Sequence, residues 1–477
     1  MQPVSSSASP VAGVAGGDAA PALRCPLCGK STVPDALGFS ECSCGWAGPG
    51  DPLESARGLG RTITQLDRRW ATALVRKDLA RMAAGKWRTD DLGALYTAAL
   101  LLFATLMQVI LAALLVGSAA LTVSSFLGGA WLGFVVAAIV FLITLSSLFV
   151  ARPRANGIEA TRERFPSLFV ALDEAGAKVG APLPQHVILV PAAEVYSFSH
   201  RPARRLFRRQ VVLALGVGAL PLLDETDLKA FLARELARYG NGRIAFAPYY
   251  RQAEEVLRHI FQVMLEALGA QTTRRPGGYS RRAMRAGSIA GMAQFSGIIV
   301  WILTLPLQIV VILYHLLRLK EIRAAEFDVD RAAALAYGPQ AFGNGLTGLR
   351  VAANTMRGSA SSLLVEMSKR GERNFYAQLR QHYSELPPAI LYKLRIDGAR
   401  EFRSVERTPV CIVDRLRAGY TVPFAASQPQ LAPVSAVTLL TPAGEADASS
   451  VELALTERLF ARSSAQQAQA KRTERRR

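Results

Sequence analysis

Four of the five cysteines fall within one short stretch, as Cys25-Pro-Leu-Cys28 and Cys42-Ser-Cys44-Gly-Trp, while Cys411 stands far from them. Two close pairs on tight turns are what a tetrahedral thiolate site requires, and the pattern predicts a structural zinc held by Cys25, Cys28, Cys42 and Cys44. So short a segment cannot fold on a core of its own, so the metal supplies the folding energy. With all four thiolates used as ligands, no coordination position is left for catalysis, and reduced thiols point to a reducing compartment. Cys411 reads as a small buried hydrophobe. A second group of reactive side chains lies further on: Arg234, Glu235 and Arg238 on one predicted helix, Glu326 and Asp330 on another. Taken alone, Ala-Arg-Glu-Leu-Ala-Arg reads as an ordinary surface helix. A third group, Arg201, Arg204, Arg205, Arg208 and Arg209, interleaved with Leu206 and Phe207, reads either as a membrane-surface or docking loop or as a solvated basic loop.

The chain around these groups has 477 residues, which at about 150 residues per domain predicts two to four units. Half of it is hydrophobic and only 19% charged, with a mean hydropathy of +0.20, which favours a membrane protein. The formal net charge of +19 fits anionic headgroups as partner. No aromatic-plus-basic binding module is visible, so no nucleic-acid partner is expected. Residues 1–22 read as a disordered tail without the pattern of a signal peptide, and 23–50 as a zinc ribbon. Residues 51–91 form a basic juxtamembrane helix. No Asp, Glu, Lys or Arg occurs between Asp91 and Arg152, room for two membrane helices of about 20 residues within 92–151, with a turn near Gly128 and Gly129. Basic residues flank both outer ends, which places both in the cytoplasm by the positive-inside rule.

Residues 152–420 read as a mixed α/β domain with strands at His186–Val190 and Val211–Leu215. A helix follows from about Glu225 to Tyr239, with Asp224 as its cap and acidic residues in its first turn. An apolar segment, 286–317, is interrupted by Pro306 and has basic flanks on both sides, which predicts a re-entrant or kinked hairpin. Residues 421–448 read as a Pro/Ala/Ser-rich linker, and 449–477 as an amphipathic helix opened by a Ser449/Glu452 capping box and closed by a basic tail.

With histidine at 234 and 238 the helix would carry H-E-x-x-H, which sets two imidazoles and a general-base Glu on one face around zinc. Its surroundings resemble the membrane zinc metallopeptidases of family 48, the HtpX-like and CAAX prenyl endopeptidases. That family carries its third zinc ligand in a pattern close to E-[FY]-x-A-D-x-x-A, which Ala325-Glu326-Phe327-Asp328-Val329-Asp330-Arg331-Ala332-Ala333 resembles. The resemblance covers about residues 90 to 420. It implies an α+β, predominantly helical, membrane-anchored gluzincin-like domain. Within that domain Glu235 takes the general-base position, Glu326 the third-ligand position and Asp330 the supporting acidic one. The departures fall on the ligands. Arg234 and Arg238 occupy the histidine positions, and a guanidinium has no lone pair to give a metal. Tyr196-Ser197-Phe198 stands where the family carries an Asn-Ala-Phe-like element, and Thr408-Pro409 where it often shows His-Pro. The reading is a pseudoprotease without catalytic zinc. It would act as a binding or scaffold protein for membrane-protein or peptide clients in a bacterial-type cytoplasmic (inner) membrane, with several spans and with its N-terminus and main domain in the cytoplasm. The alternative is an active membrane zinc metalloendopeptidase using unrecognised ligands.

Overall fold

The structure is a computed structural model. It describes residues 23–87 (apart from 33–34, 36–38, 40, 45, 49–50, 52 and 56), 94–148, 157–200, 210–240, 287–399, 401, 410–424 and 434–461. The expected N-terminal tail, the arginine cluster at 201–209, Thr408-Pro409 and the basic C-terminal tail lie outside the described residues. The fold is mostly helical with a small sheet, an α+β arrangement, and the chain divides into two compact units.

The first unit comprises Met1–Arg88, Arg154–Gly242 and Arg323–Arg477. Its N-terminal part is a two-stranded antiparallel hairpin, β1 (Leu23–Arg24) and β2 (Ser31–Thr32), followed by a 26-residue helix, α1 (Gly58–Ala83). The sheet has the order β3 (Ile158–Ala160), β4 (His186–Val190), β6 (Gln210–Gly216), β5 (Tyr196–His200). β4 and β6 are parallel, and β3 and β5 pair antiparallel at the two edges. The near-continuous apolar run Val-Val-Leu-Ala-Leu of β6 suits a strand covered on both faces, and Val212 to Leu215 are buried. Helix α4 (Pro166–Val179) packs against α5 (Glu225–Gly240), which follows β6 through the 3-10 turn Val217–Leu222. α5 is buried nearly all round, from Leu228 to Ala237.

Helix α6 (Gly287–Tyr337) runs for 51 residues, and its portion from Arg323 onward belongs to this first unit. The expected hairpin over 286–317 is therefore corrected to one continuous helix. Reversing the chain there needs a turn-forming residue, and Pro306 has no Gly, Asn or Asp beside it. Pro306 removes one backbone hydrogen bond and is carried within the helix. α6 ends where Gly338 takes φ +92°, a backbone that side chains rarely adopt, and α7 (Pro339–Arg370) starts at once. On α7 a Cβ at Gly345 would lie 2.7 Å from the carbonyl oxygen of Asp227, so glycine lets α7 cross α5 closely. α8 (Phe375–Glu385), α9 (Pro388–Ala399) and α10 (Ile412–Tyr420) complete this layer.

The expected linker is also corrected where it is described. Ser435 bridges Asp224, and the 3-10 turn Ala436–Leu440 buries Ala436, Leu439 and Leu440 in the main core. Residues 449–461 form α11. Its first turn is held by Asp447, whose carboxylate accepts the Ser449 N–H at 2.9 Å. Glu452 leaves the expected capping box for Arg380 and for the Asn374 amide, 2.9 Å away.

The second unit comprises Thr89–Pro153 and Arg243–Ile322. α2 (Ala94–Leu127) and α3 (Trp131–Leu148) form a helical hairpin that turns at Gly128 and Gly129, the latter at φ +68°. The early part of α6 joins them, stacking Tyr314 on Phe103 with ring centroids 5.1 Å apart, while the Tyr96 hydroxyl donates to the Leu317 carbonyl. By length and composition, the segment Leu95–Leu127 is the one helix among the described residues long and apolar enough to cross a membrane. Leu102, Val109, Val116 and Leu121 leave its outer surface apolar and exposed.

Candidate functional site

Three helices of the first unit bring charged side chains to one point. α5 supplies Arg234, Glu235 and Arg238. α6 supplies Glu326 and Asp330, which share a face because they are four residues apart. α10 supplies Arg415. Arg234 is the hub. Its Nε donates to Asp330 Oδ1 at 2.6 Å, its Nη1 to Glu235 and its Nη2 to Glu326, so one guanidinium engages three carboxylates. Phe231 supplies an apolar wall beneath it, the guanidinium carbon 5.3 Å from the ring centre. Arg238 meets both oxygens of Glu326, at 2.8 and 2.9 Å, in the bidentate geometry that planar guanidinium favours, and lies 3.5 Å from Glu235. Arg415 makes a second bidentate pair with Asp330, at 2.9 and 3.0 Å.

Burial makes this cluster consequential. Arg234 and Glu235 are 4% and 3% exposed and Asp330 is fully buried, whereas Arg238 and Glu326 are partly exposed. An isolated charge at such depth is prohibitively costly, and here each charge has an opposite partner. Three guanidiniums face three carboxylates, so the cluster is neutral. Burial alone would push the Glu326 carboxyl up, but Arg238, Arg234 and Arg415 outweigh it and hold Glu326 well below the usual carboxylate range. The same pairing raises Arg238 and Arg415 against the effect of their burial. The pairing therefore favours the charged forms of Glu326, Arg238 and Arg415.

Both oxygens of Glu235 are occupied. Arg234 and Arg238 face Oε1, and Ser197 of edge strand β5 donates to Oε2 from its hydroxyl at 2.6 Å and its backbone N–H at 3.2 Å. Three hydrogen bonds and a nearby guanidinium thus already engage this carboxylate. The structure thus brings together Arg234, Arg238, Glu235, Glu326 and Asp330 and adds two residues that the sequence reading did not assign to the site, Arg415 and Ser197. Arg415 carried no signal, since Asp-Arg-Leu-Arg is unremarkable for a surface helix; Ser197 was marked only by its place in Tyr196-Ser197-Phe198.

The cysteines form a separate centre. Their sulfur atoms all lie within 4.8 Å of one another, with Cys25 to Cys44 and Cys28 to Cys42 both at 3.4 Å. A tetrahedral site with metal–sulfur bonds of about 2.3 Å separates its sulfurs by about 3.8 Å, so the four are close enough to hold a metal ion. The first knuckle is set by Gly29 at φ +72°, whose N–H donates to the Cys25 carbonyl at 2.9 Å. The second closes with the Cys42 N–H on the Trp46 carbonyl at 2.8 Å. This segment is anchored to the rest of the unit. Arg417 of α10 pairs with Asp35 at 2.5 Å and Glu41 at 3.1 Å, Arg68 of α1 with buried Asp51 at 2.6 Å, and Phe39 is buried in the main core. No family model matches this chain, and no curated protein or solved structure does so either.

Proposed function

We propose that the chain is a membrane-anchored pseudoprotease of the metallopeptidase family 48 type, a binding or scaffold protein whose former metal position is bridged by ion pairs. The observation that carries this reading is the saturation of the Arg234 cluster. At the two positions where that family places imidazoles, the side chains are guanidiniums that offer a metal nothing. Glu326, at the third-ligand position, is held by both of them. Glu235, at the position of the general base, spends its oxygens on Arg234, Arg238 and Ser197. The cluster joins α5 to α6 as a metal would, while leaving no group to activate water.

The same reading assigns zinc to Cys25, Cys28, Cys42 and Cys44 as a structural ion that folds the segment around it. It takes both helices of the α2–α3 hairpin through the bilayer, α3 being 18 uncharged residues or about 27 Å against a hydrocarbon core of about 30 Å. The first unit then faces the cytoplasm of a bacterial-type inner membrane, where membrane-protein segments or peptides are its clients. Metal analysis of the full-length protein tests the assignment. One zinc per chain is expected, falling to none in Cys25→Ser/Cys28→Ser. Two zinc ions per chain, with one surviving in that variant, would mean ligands recruited from elsewhere and an active endopeptidase.

A further inference from the structure

We propose that α1 is an interfacial helix whose outer face seats on the surface of an anionic bilayer; the inference deepens the membrane reading and rests on α2 crossing that bilayer. One face of α1 is committed to the first unit. Val75 and Met82 are buried with Phe327, Val410 and Ala418, Arg68 is paired with Asp51, and Asp78 with Arg323 at 2.8 Å. The opposite face carries Ile63, Leu66 and Trp70, which are 59%, 55% and 63% exposed. Their spacing of three and four residues makes them one stripe about 10 Å long. Three large apolar side chains left in contact with water on a helix already anchored by its other face have no folding role.

The charges around the stripe select the partner. Among the described residues, every exposed charged side chain on α1 is a cation, namely Arg69, Arg76 and Lys77, and Arg57 and Lys86 extend the series at its two ends. The helix's acidic residues, Asp67 and Asp78, are not among the exposed ones, and Asp78 is engaged by Arg323. A helix with Trp, Ile and Leu on one strip and Arg and Lys beside it matches the chemistry of a membrane surface. The indole and aliphatic groups enter the headgroup boundary, and each cation near anionic lipid contributes about 1 kcal/mol. Chain connectivity supplies the proximity. Ten residues separate Ala83 from Ala94, the start of the apolar helix, so the C-terminal end of α1 is tethered within about 40 Å of the start of α2.

The test uses the full-length protein and Trp70→Phe, each reconstituted into phosphatidylcholine vesicles and into equimolar phosphatidylcholine/phosphatidylglycerol vesicles whose acyl chains are brominated near the headgroup. The difference between the two emission spectra isolates Trp70. The expected result is a blue-shifted Trp70 component that is lost to bromine quenching, more completely with phosphatidylglycerol, and restored by Ile63→Ser/Leu66→Ser. Protein that floats with the vesicles and resists alkaline extraction while its Trp70 component keeps full intensity would overturn the inference and leave the membrane reading standing. Protein that floats with neither vesicle would remove both. Protection of Trp70 from acrylamide that grows with protein concentration instead of with lipid would assign the face to a second copy of the chain and overturn the proposal.

Discussion

Arg415 and Arg417, two residues apart on α10, hold different parts of the molecule. Arg415 grips Asp330 within the arginine–carboxylate cluster, and Arg417 grips Asp35 and Glu41 beside the cysteine centre. A nine-residue helix thus joins the two candidate centres from opposite sides of a single turn. It also buries Ile412, Val413 and Leu416 in the main core, so neither grip is a free-standing surface pair.

Arg234→Ala is expected to destabilise the first unit by about 3–5 kcal/mol, because it leaves Asp330 and Glu235 buried with too little opposing charge. Arg234→Lys should recover only a small part, since one ammonium cannot point at three carboxylates placed around a planar fork. Denaturant melts of both variants beside the parent check this, and an unchanged melt for Arg234→Ala would show that the cluster is not holding the helices.

If the cluster stands where a metal once did, Arg234→His/Arg238→His should bind one zinc beyond the cysteine-bound ion, through the two imidazoles and Glu326. Metal stoichiometry after dialysis is the readout. A count that stays at one means that α5 and α6 do not offer metal-binding geometry.

Removing the metal from the cysteine centre should be felt on α10. With a strong chelator at neutral pH, amide protection is expected to vanish in β1 and β2, where Leu23 packs on the cluster of Cys25, Cys42, Cys44 and Trp46 that the metal holds together. Exchange in α10 should rise by about fivefold, because Arg417, only partly exposed, then loses partners worth about 1 kcal/mol. Exchange mass spectrometry resolves the two regions. No change in α10 would mean that Arg417 transmits nothing.

Asp227, in the first turn of α5, should make stability fall as pH rises. Burial first, and then the neighbouring Asp224 charge, push its carboxyl up to about 7, against hydrogen bonds from the Asp224 N–H and Asn344 and the charge of Arg395. A folded value above the unfolded one, about 3.9, stabilises fully below that lower value, and the benefit is lost as pH rises through about 7. Over this window the parent should lose up to about 4 kcal/mol relative to Asp227→Asn. Parallel pH-dependent melts of the two proteins that run level would refute it.

Much of the frame was readable in the residues. The apolar runs His186–Val190 and Val211–Leu215 are β4 and the body of β6, and the acidic start at Asp224 and Glu225 marks the beginning of α5. The turn at Gly128 and Gly129 was likewise written in the two residues that permit it. What escaped depends on neighbours distant in sequence. Ala436, Leu439 and Leu440 sit in a stretch whose composition reads as a linker, and only the groove left by Leu223 and α5 makes them core. Glu452 spells a capping box beside Ser449 until Arg380, 72 positions earlier, draws it away. Arg415 belongs to the cluster only because α10 packs beside α6, a relationship that no local pattern encodes.

The sharing of one guanidinium among three carboxylates also isolates this site in sequence space. Replacing Arg234 alone leaves three carboxylates facing two guanidiniums, and replacing Glu235, Glu326 or Asp330 alone leaves three guanidiniums facing two carboxylates, so each single step away is worse than the starting point. A route from this charge-balanced arrangement to a metal-binding one must change at least two positions together. Drift, which proceeds one substitution at a time, therefore meets a wall here, and the site is expected to stay as it is or to be lost with the fold.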